Sequence, residues 1–170
     1  MPKIAIYPGS FDPITRGHEE IMQKASKLFD QVYVVVCINS NKPNSLFTSE
    51  ERLAMLKKVT AKYPNIEADS YEGMAINYAI KKGAVAMIRG VRNARDFDAE
   101  IAQYYFNHKI NRTIETVILM PDVTSLYISS SAVKELASFN RNFSKFVPVE
   151  IYDDIKDKLA KDPFNIENGD

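Results

Sequence analysis

The chain has little of what usually announces a chemistry. Of its 170 residues one is a cysteine, Cys37, and a single cysteine cannot build an intrachain disulfide framework. Two are histidines, His18 and His108, and His18 sits just past a glycine at the mouth of what reads as the first helix. Charge of either sign is not in surplus: Lys+Arg and Asp+Glu each number 22. A chain that wraps nucleic acid ordinarily carries a basic excess. Nucleic acid is therefore set aside as a partner, and any bound anion should be small and gripped locally. No apolar run approaches the ~20 residues needed to span a bilayer, and the opening MPKIAIYPG meets a turn too early for a secretory signal. The expectation is a cytoplasmic, soluble protein without a membrane partner.

What is present is an alternating pattern. Hydrophobic residues make up 45% of the chain and charged residues 26%, enough apolar material for one domain with its own core. Ile4–Tyr7, Val32–Ile38, Ile66–Ser70, Val85–Ile88 and Thr116–Met120 read as short strands. Between them lie helical patterns: Glu19–Phe29, a stretch opened by the capping box Thr48-Ser49-Glu50-Glu51 and running to Tyr63, and Met74–Lys82 closed by Gly83. A further helix, capped by Asp96, runs to about Asn111, and Ser130–Phe139 and Pro148–Leu159 follow. Five strands separated by helices predict a single Rossmann-like, doubly wound α/β domain with a five-stranded parallel sheet over residues 1–160. Residues 161–170 read as a polar, acidic, mobile tail.

Such sheets bind ligands outside the carboxyl ends of their strands, where the strand order reverses. Four loops that follow strands are rich in donors and cations and poor in acids: YPGSFDPITRGH, NSNKP, RGVRNARDFDAE and MPDVTSLYISSS. That composition suits several phosphates. The two commonest phosphate grips are nevertheless missing, since neither G-x-x-x-x-G-K-[ST] nor G-x-G-x-x-G occurs. In their place stands T-x-G-H at Thr15–His18. Gly17 allows close approach of ligand to backbone. A helix starting there directs free N–H groups and its positive dipole end at an anion, and His18 adds a side-chain donor.

These segments resemble a known family. YPGSFDPIT-x-GH at 7–18, Lys42, FTSEER at 47–52, IRGVRNARDFDAE at 88–100, ETVILMP at 115–121 and ISSS at 128–131 are similar, in order and spacing over roughly residues 3–150, to the bacterial phosphopantetheine adenylyltransferases among the T-x-G-H nucleotidyltransferases. The resemblance implies transfer of an adenylyl group from ATP to 4′-phosphopantetheine, giving 3′-dephospho-coenzyme A and pyrophosphate. It implies catalytic roles for His18, Lys42 and Arg92. It puts Ser10, Phe11, His18, Gly90, Val91, Arg92, Glu100, Ser125, Leu126, Tyr127, Ile128, Ser129, Ser130 and Ser131 on ATP, and Ser10, Lys42, Ala75 and Arg89 on the acceptor. Mg²⁺ is implied as a cofactor carried mainly by substrate phosphates, with no protein metal ligands. A homohexamer is implied, as are dephospho-coenzyme A as product and coenzyme A as product-like or feedback ligand. The nucleophile is a phosphate oxygen, already anionic, so neither a general base nor a covalent intermediate is required.

Plainer readings stand beside these. His18 alone could simply cap a helix, and Ser129–Ser131 alone form an N-cap cluster. Cys37 reads as a small core residue. Asp12 reads as a turn residue ahead of Pro13 bonding its own loop rather than as a metal ligand. Tyr104-Tyr105-Phe106 reads as core or subunit interface. A sister enzyme using CTP or another phosphorylated acceptor would share the same phosphate machinery. A non-catalytic nucleotide-binding module would be expected to lack His18, Lys42 or Arg92, and all three are present.

Overall fold

Local sequence signals account for most of the element boundaries. A computed structural model describes residues 1–38 and 45–160, so the expectations for Lys42 and for the tail at 161–170 lie outside the described residues. The strands are β1 (Ile4–Gly9), β2 (Gln31–Ile38), β3 (Ile66–Glu72), β4 (Ala86–Gly90) and β5 (Glu115–Leu119). The helices are α1 (Arg16–Leu28), α2 (Ser49–Thr60), α3 (Ala75–Lys82), α4 (Ala94–Ile110), α5 (Ser130–Ser138) and α6 (Tyr152–Ala160). Single 3-10 turns at Val123–Ser125 and Val149–Ile151 complete the list.

All five strands are parallel, in the order β3-β2-β1-β4-β5. The chain moves outward from β1 through β2 to β3, then returns to the other side of β1 for β4. The order therefore reverses between β1 and β4, and the loops after those two strands flank the switch point. β1 is central, β2 lies inside the sheet with its four valines buried, and the more polar β3 lies at the sheet edge.

Side chains alternate between the two faces of the sheet. Ala5, Tyr7, Val32, Val34, Val36 and Ile88 join a large core with residues of α1, α2, α5 and α6. Ile6, Val35 and Met87 join a smaller core with Ile76, Tyr78 and Ala79 of α3. This period of two follows from the pleat. Cys37, at the end of β2, is half-buried rather than fully in the core; burial pushes its thiol pKa up.

The capping box forms as its sequence predicts: Glu51 N–H donates to Thr48 Oγ1 at 3.2 Å and Thr48 N–H to Glu51 Oε2 at 2.8 Å. Gly83 closes α3 in the left-handed region at φ 64°. The expected cap at Asp96 is corrected. Asn93 is the N-cap of α4 and accepts from Asp96 N–H at 3.0 Å, while the Asp96 carboxylate takes the backbone N–H and Nε of Arg92. Of the two short polar side chains, Asn93 occupies the extended backbone position that a cap requires. The Tyr104–Phe106 cluster does not enter the core of this chain. Asn107 is the only buried residue of α4, and Phe97, Ile101, Tyr105 and Phe106 are exposed.

Candidate active site

The T-x-G-H segment folds into a tighter device than its spacing alone suggests. Thr15, buried and extended, is the N-cap of α1. His18 is the third residue of the helix and takes the place that Glu holds in an ordinary capping box. Thr15 N–H donates to His18 Nδ1 at 3.0 Å, and Thr15 Oγ1 lies 3.2 Å from the same nitrogen. Because Nδ1 accepts, the ring's proton is assigned to Nε2, on its opposite edge. Burial, with help from the Arg92 guanidinium, lowers the His18 pKa to about 4. The side chain is therefore a neutral N–H donor near pH 7.

Gly17 follows the cap. A methyl group there would meet only Thr15 Oγ1 at 3.6 Å and Ser125 O at 3.8 Å, ordinary contact distances. No protein neighbour demands glycine at this position, which leaves the space for something else. Arg16 N–H is taken by Phe146 O, and Gly17 N–H has no protein partner among the described residues. Gly9 differs: a methyl group would lie 2.9 Å from Phe11 Cζ. The Phe11 ring lies over that backbone, buried, with φ 48°, edge-on to both Tyr7 and His18. Phe11 thus supports the imidazole as well as bordering the cavity.

The loop that carries Ser10 and Phe11 is fixed from behind. Asp12 is buried; its Oδ1 accepts from Phe47 N–H at 2.9 Å, its Oδ2 from Leu46 N–H at 3.0 Å, and Lys134 Nζ is 3.2 Å away. The expectation that Asp12 bonds its own loop is corrected: it ties that loop to the segment before α2 and to α5. Arg52 of α2, also buried, donates from Nη1 to Ser10 O at 2.8 Å. Sequence reasoning missed this residue. The FTSEER segment contains it, but nothing local marks an arginine as buried.

Ser10, Phe11, His18, Arg89, Gly90, Arg92, Glu100, Ile128, Ser129, Ser130 and Ser131 line one cavity of about 370 Å³. It opens at the switch point between β1 and β4. Two helix N-termini face it. At the second, Ser129 Oγ caps α5 by accepting from Ala132 N–H at 3.1 Å, and Ser130 Oγ donates to Pro13 O at 2.8 Å. Arg92 bridges the walls, with Nε on Asp96 Oδ2 and Nη1 on Ile128 O, both at 3.0 Å. Arg89 is held by Glu100 through two bonds of 2.7 Å. Unpaired N–H groups, a neutral imidazole and two guanidiniums converging on one space make an anion site.

Several expected contacts fall outside this wall. Val91 is buried behind it, its N–H donating to Leu119 O. Ser125 is buried and spends its hydroxyl on Glu20 Oε1 at 2.6 Å. Leu126 and Tyr127 point outward, Tyr127 with 70% of its surface exposed. Ala75 opens α3 and packs against the smaller core. Tyr7, Pro8, Gly9, Thr15, Gly17, Ile21 and Pro121 complete the wall.

Comparisons with known proteins give the family. The cytidylyltransferase-like family model matches residues 6–136. A phosphopantetheine adenylyltransferase of Desulforudis audaxviator is 46% identical over 158 residues, 93% of this chain and 96% of that protein. One from Clostridium perfringens is 40% identical over 158 residues with the same coverage, and one from Alkaliphilus metalliredigens is 46% identical over 146 residues. Among solved structures, a putative nicotinate-nucleotide adenylyltransferase from Vibrio parahaemolyticus superposes with a TM-score of 0.66 at 17% identity, covering 98% of this chain and 97% of that one, a likeness of fold. Taken with the T-x-G-H cap and the cavity it borders, these matches mean that the chain belongs to the phosphopantetheine adenylyltransferases of the cytidylyltransferase-like family.

Proposed function

We propose that this protein transfers the adenylyl group of ATP to 4′-phosphopantetheine, releasing pyrophosphate and forming 3′-dephospho-coenzyme A. The relatives that carry this activity in their names match 86% to 94% of the chain. The observation that carries the mechanism is the Thr15–His18 cap, which holds a neutral imidazole with its proton on Nε2.

A phosphate oxygen of the acceptor attacks the α-phosphorus of ATP. The new P–O bond forms as the bond to the β-phosphate oxygen breaks, and the displaced pair leaves on pyrophosphate. The nucleophile is already charged, so no side chain needs to remove a proton. The difficulty is crowding of negative charge, and the remedy is positioned donors. His18 Nε2–H donates to an α-phosphate oxygen as its charge grows. Gly17 N–H and the N–H groups of the first turn of α5, with the hydroxyls of Ser129 and Ser131, take other phosphate oxygens, while Ser130 keeps its hydroxyl on Pro13 O and ties that turn to the loop after β1. Arg92 neutralises the nucleotide's phosphates, Glu100 contacts the nucleotide, and Arg89 and Lys42 take the acceptor's phosphate. No protein nucleophile is involved, so the transfer is direct.

Among the described residues no cluster of three or more His, Cys, Asp or Glu side chains is arranged to hold a metal. The carboxylates at and behind the cavity wall are committed, Glu100 to Arg89, Asp96 to Arg92, and Asp12 to two backbone N–H groups and Lys134. These residues suit Mg²⁺ that arrives on the nucleotide's phosphates. Such an ion would supply further neutralisation of phosphate charge.

The reading brings with it a cytoplasmic place of action and dephospho-coenzyme A or coenzyme A as product-side ligands. No described helix is long and apolar enough to cross a membrane. It also brings assembly into a homohexamer, supported by the exposed apolar side chains of α4. The test of direct transfer is mass spectrometry of the reaction with ATP, Mg²⁺ and 4′-phosphopantetheine. Dephospho-coenzyme A with protein of unaltered mass is expected; an adenylylated protein formed from ATP alone would contradict it.

A further inference from the structure

Among the described residues Glu100 is the only acid in the wall of the anion cavity. It does not stand apart from the cations. Its Oε2 accepts from Arg89 Nε and its Oε1 from Arg89 Nη2, both at 2.7 Å, in the two-pronged geometry that suits a guanidinium best. The pair is largely withdrawn from water, with side-chain exposures of 29% for Arg89 and 12% for Glu100. Arg92, by contrast, meets Asp96 through its backbone N–H and Nε and donates from Nη1 to Ile128 O, which leaves Nη2 without a partner among the described residues. The two arginines of the site thus differ in the empty protein. One is partly available, and the other is held by a carboxylate in the geometry a phosphate would use.

The elements that carry the pair differ as well. Arg89 is fixed near the end of β4, with Nη1 also donating to Pro8 O at 3.3 Å. Glu100 rides on α4, whose only buried residue is Asn107. Glu100 can therefore leave Arg89 without disturbing the core, whereas Arg89 cannot follow it.

This inference rests on the proposed function, in which Arg89 serves the acceptor's phosphate and Glu100 the nucleotide. We infer that the Arg89–Glu100 pair opens when either substrate binds, and that opening it once for the first ligand prepares the site for the second. A phosphate that takes both prongs of Arg89 releases the carboxylate. The freed carboxylate is then an acceptor for a hydroxyl or amino group of the nucleotide. Conversely, a nucleotide that draws Glu100 away leaves Arg89 unneutralised and ready for the acceptor. The cost of opening falls on whichever ligand arrives first, so the two bind with positive coupling, and by linkage the coupling is the same in both directions. Glu100 is thus a positioning residue for the acceptor as well as a contact for the nucleotide.

The experiment is calorimetric titration with 4′-phosphopantetheine and the α,β-methylene analogue of ATP with Mg²⁺, each alone and each in the presence of the other at saturation. In the native protein each ligand should tighten the other by about five-fold or more. In Glu100→Gln, which keeps the shape and removes the charge, 4′-phosphopantetheine alone should bind more tightly than to the native protein, and the coupling should fall below about two-fold. Glu100→Ala, with folding checked by circular dichroism, should behave alike. Both ligands binding with undiminished coupling in both variants, or with no coupling in the native protein, would overturn the inference and leave the function standing. A folded native protein that binds neither ligand would overturn both.

Discussion

Thr15 and His18 cap each other at the start of α1: the Thr15 backbone N–H donates to His18 Nδ1 at 3.0 Å, and Thr15 Oγ1 accepts from His18 N–H at 3.4 Å. One contact orients the imidazole, fixes its tautomer and closes the helix end. The residue that begins the helix therefore also decides which nitrogen of His18 carries the proton.

His18→Ala removes a donor whose partner is the developing charge. Turnover should fall about 100-fold or more, while ATP affinity changes by no more than about three-fold. Steady-state kinetics with a parallel binding titration measure both. Equal losses in turnover and affinity would contradict a role at the transition state.

The low pKa of His18 predicts a pH dependence of stability. The unfolded chain takes up a proton on this residue below about pH 6.5, whereas the folded protein does so only near pH 4. Between those values the unfolded state binds more protons, so stability rises with pH. The contribution is complete above pH 6.5 and is lost as pH falls towards 4, amounting to at most about 3 kcal/mol for a ring open to the cavity on one side. Urea melts of the native protein and of His18→Gln from pH 4 to 7.5 should diverge, the native protein losing more on the acid side. Parallel curves would refute the assignment.

Gly17 and Gly9 should respond oppositely to a methyl group. Gly17→Ala has room within the protein and lies in a helix, where alanine is favoured by about 1 kcal/mol. Its melting temperature should hold or rise while activity falls about ten-fold or more, because the methyl group takes the ligand's space. Gly9→Ala would press on the Phe11 ring and should lower stability by about 1–3 kcal/mol. Full activity in Gly17→Ala would mean that no ligand approaches that backbone.

Asp12 holds three partners from a buried position, two of them backbone N–H groups. Asp12→Ala leaves those donors unpaired and should cost about 2 kcal/mol or more. Lys134→Ala, which removes the more exposed partner, should cost under about 1 kcal/mol. Denaturant unfolding of the two variants measures the contrast, and equal effects would contradict it.

Much of this was legible in the sequence because it is local. The apolar runs of β1, β2 and β4, the Thr48–Glu51 box and the Gly83 stop each depend on neighbours within a few residues. So does T-x-G-H, although a histidine in the glutamate position of a capping box is not a pattern one looks for. What escaped depends on distant partners. Asp12 meets Leu46 and Phe47, Arg52 meets Ser10, and Ser125 turns its hydroxyl to Glu20 rather than to the cavity. The aromatic cluster of α4 reads as core or subunit interface, and within this chain it is not core: α4 meets β4 through Asn107 on Met87 and Glu100 on Arg89, and Tyr105 and Phe106 stay exposed.

The most direct measurement is pyrophosphate release with ATP and Mg²⁺, with and without 4′-phosphopantetheine, and with CTP in place of ATP. Release should require ATP and 4′-phosphopantetheine together and should be far slower with CTP. Binding of ATP without any release in the presence of 4′-phosphopantetheine, or equal release with CTP, would contradict adenylyl transfer to this acceptor.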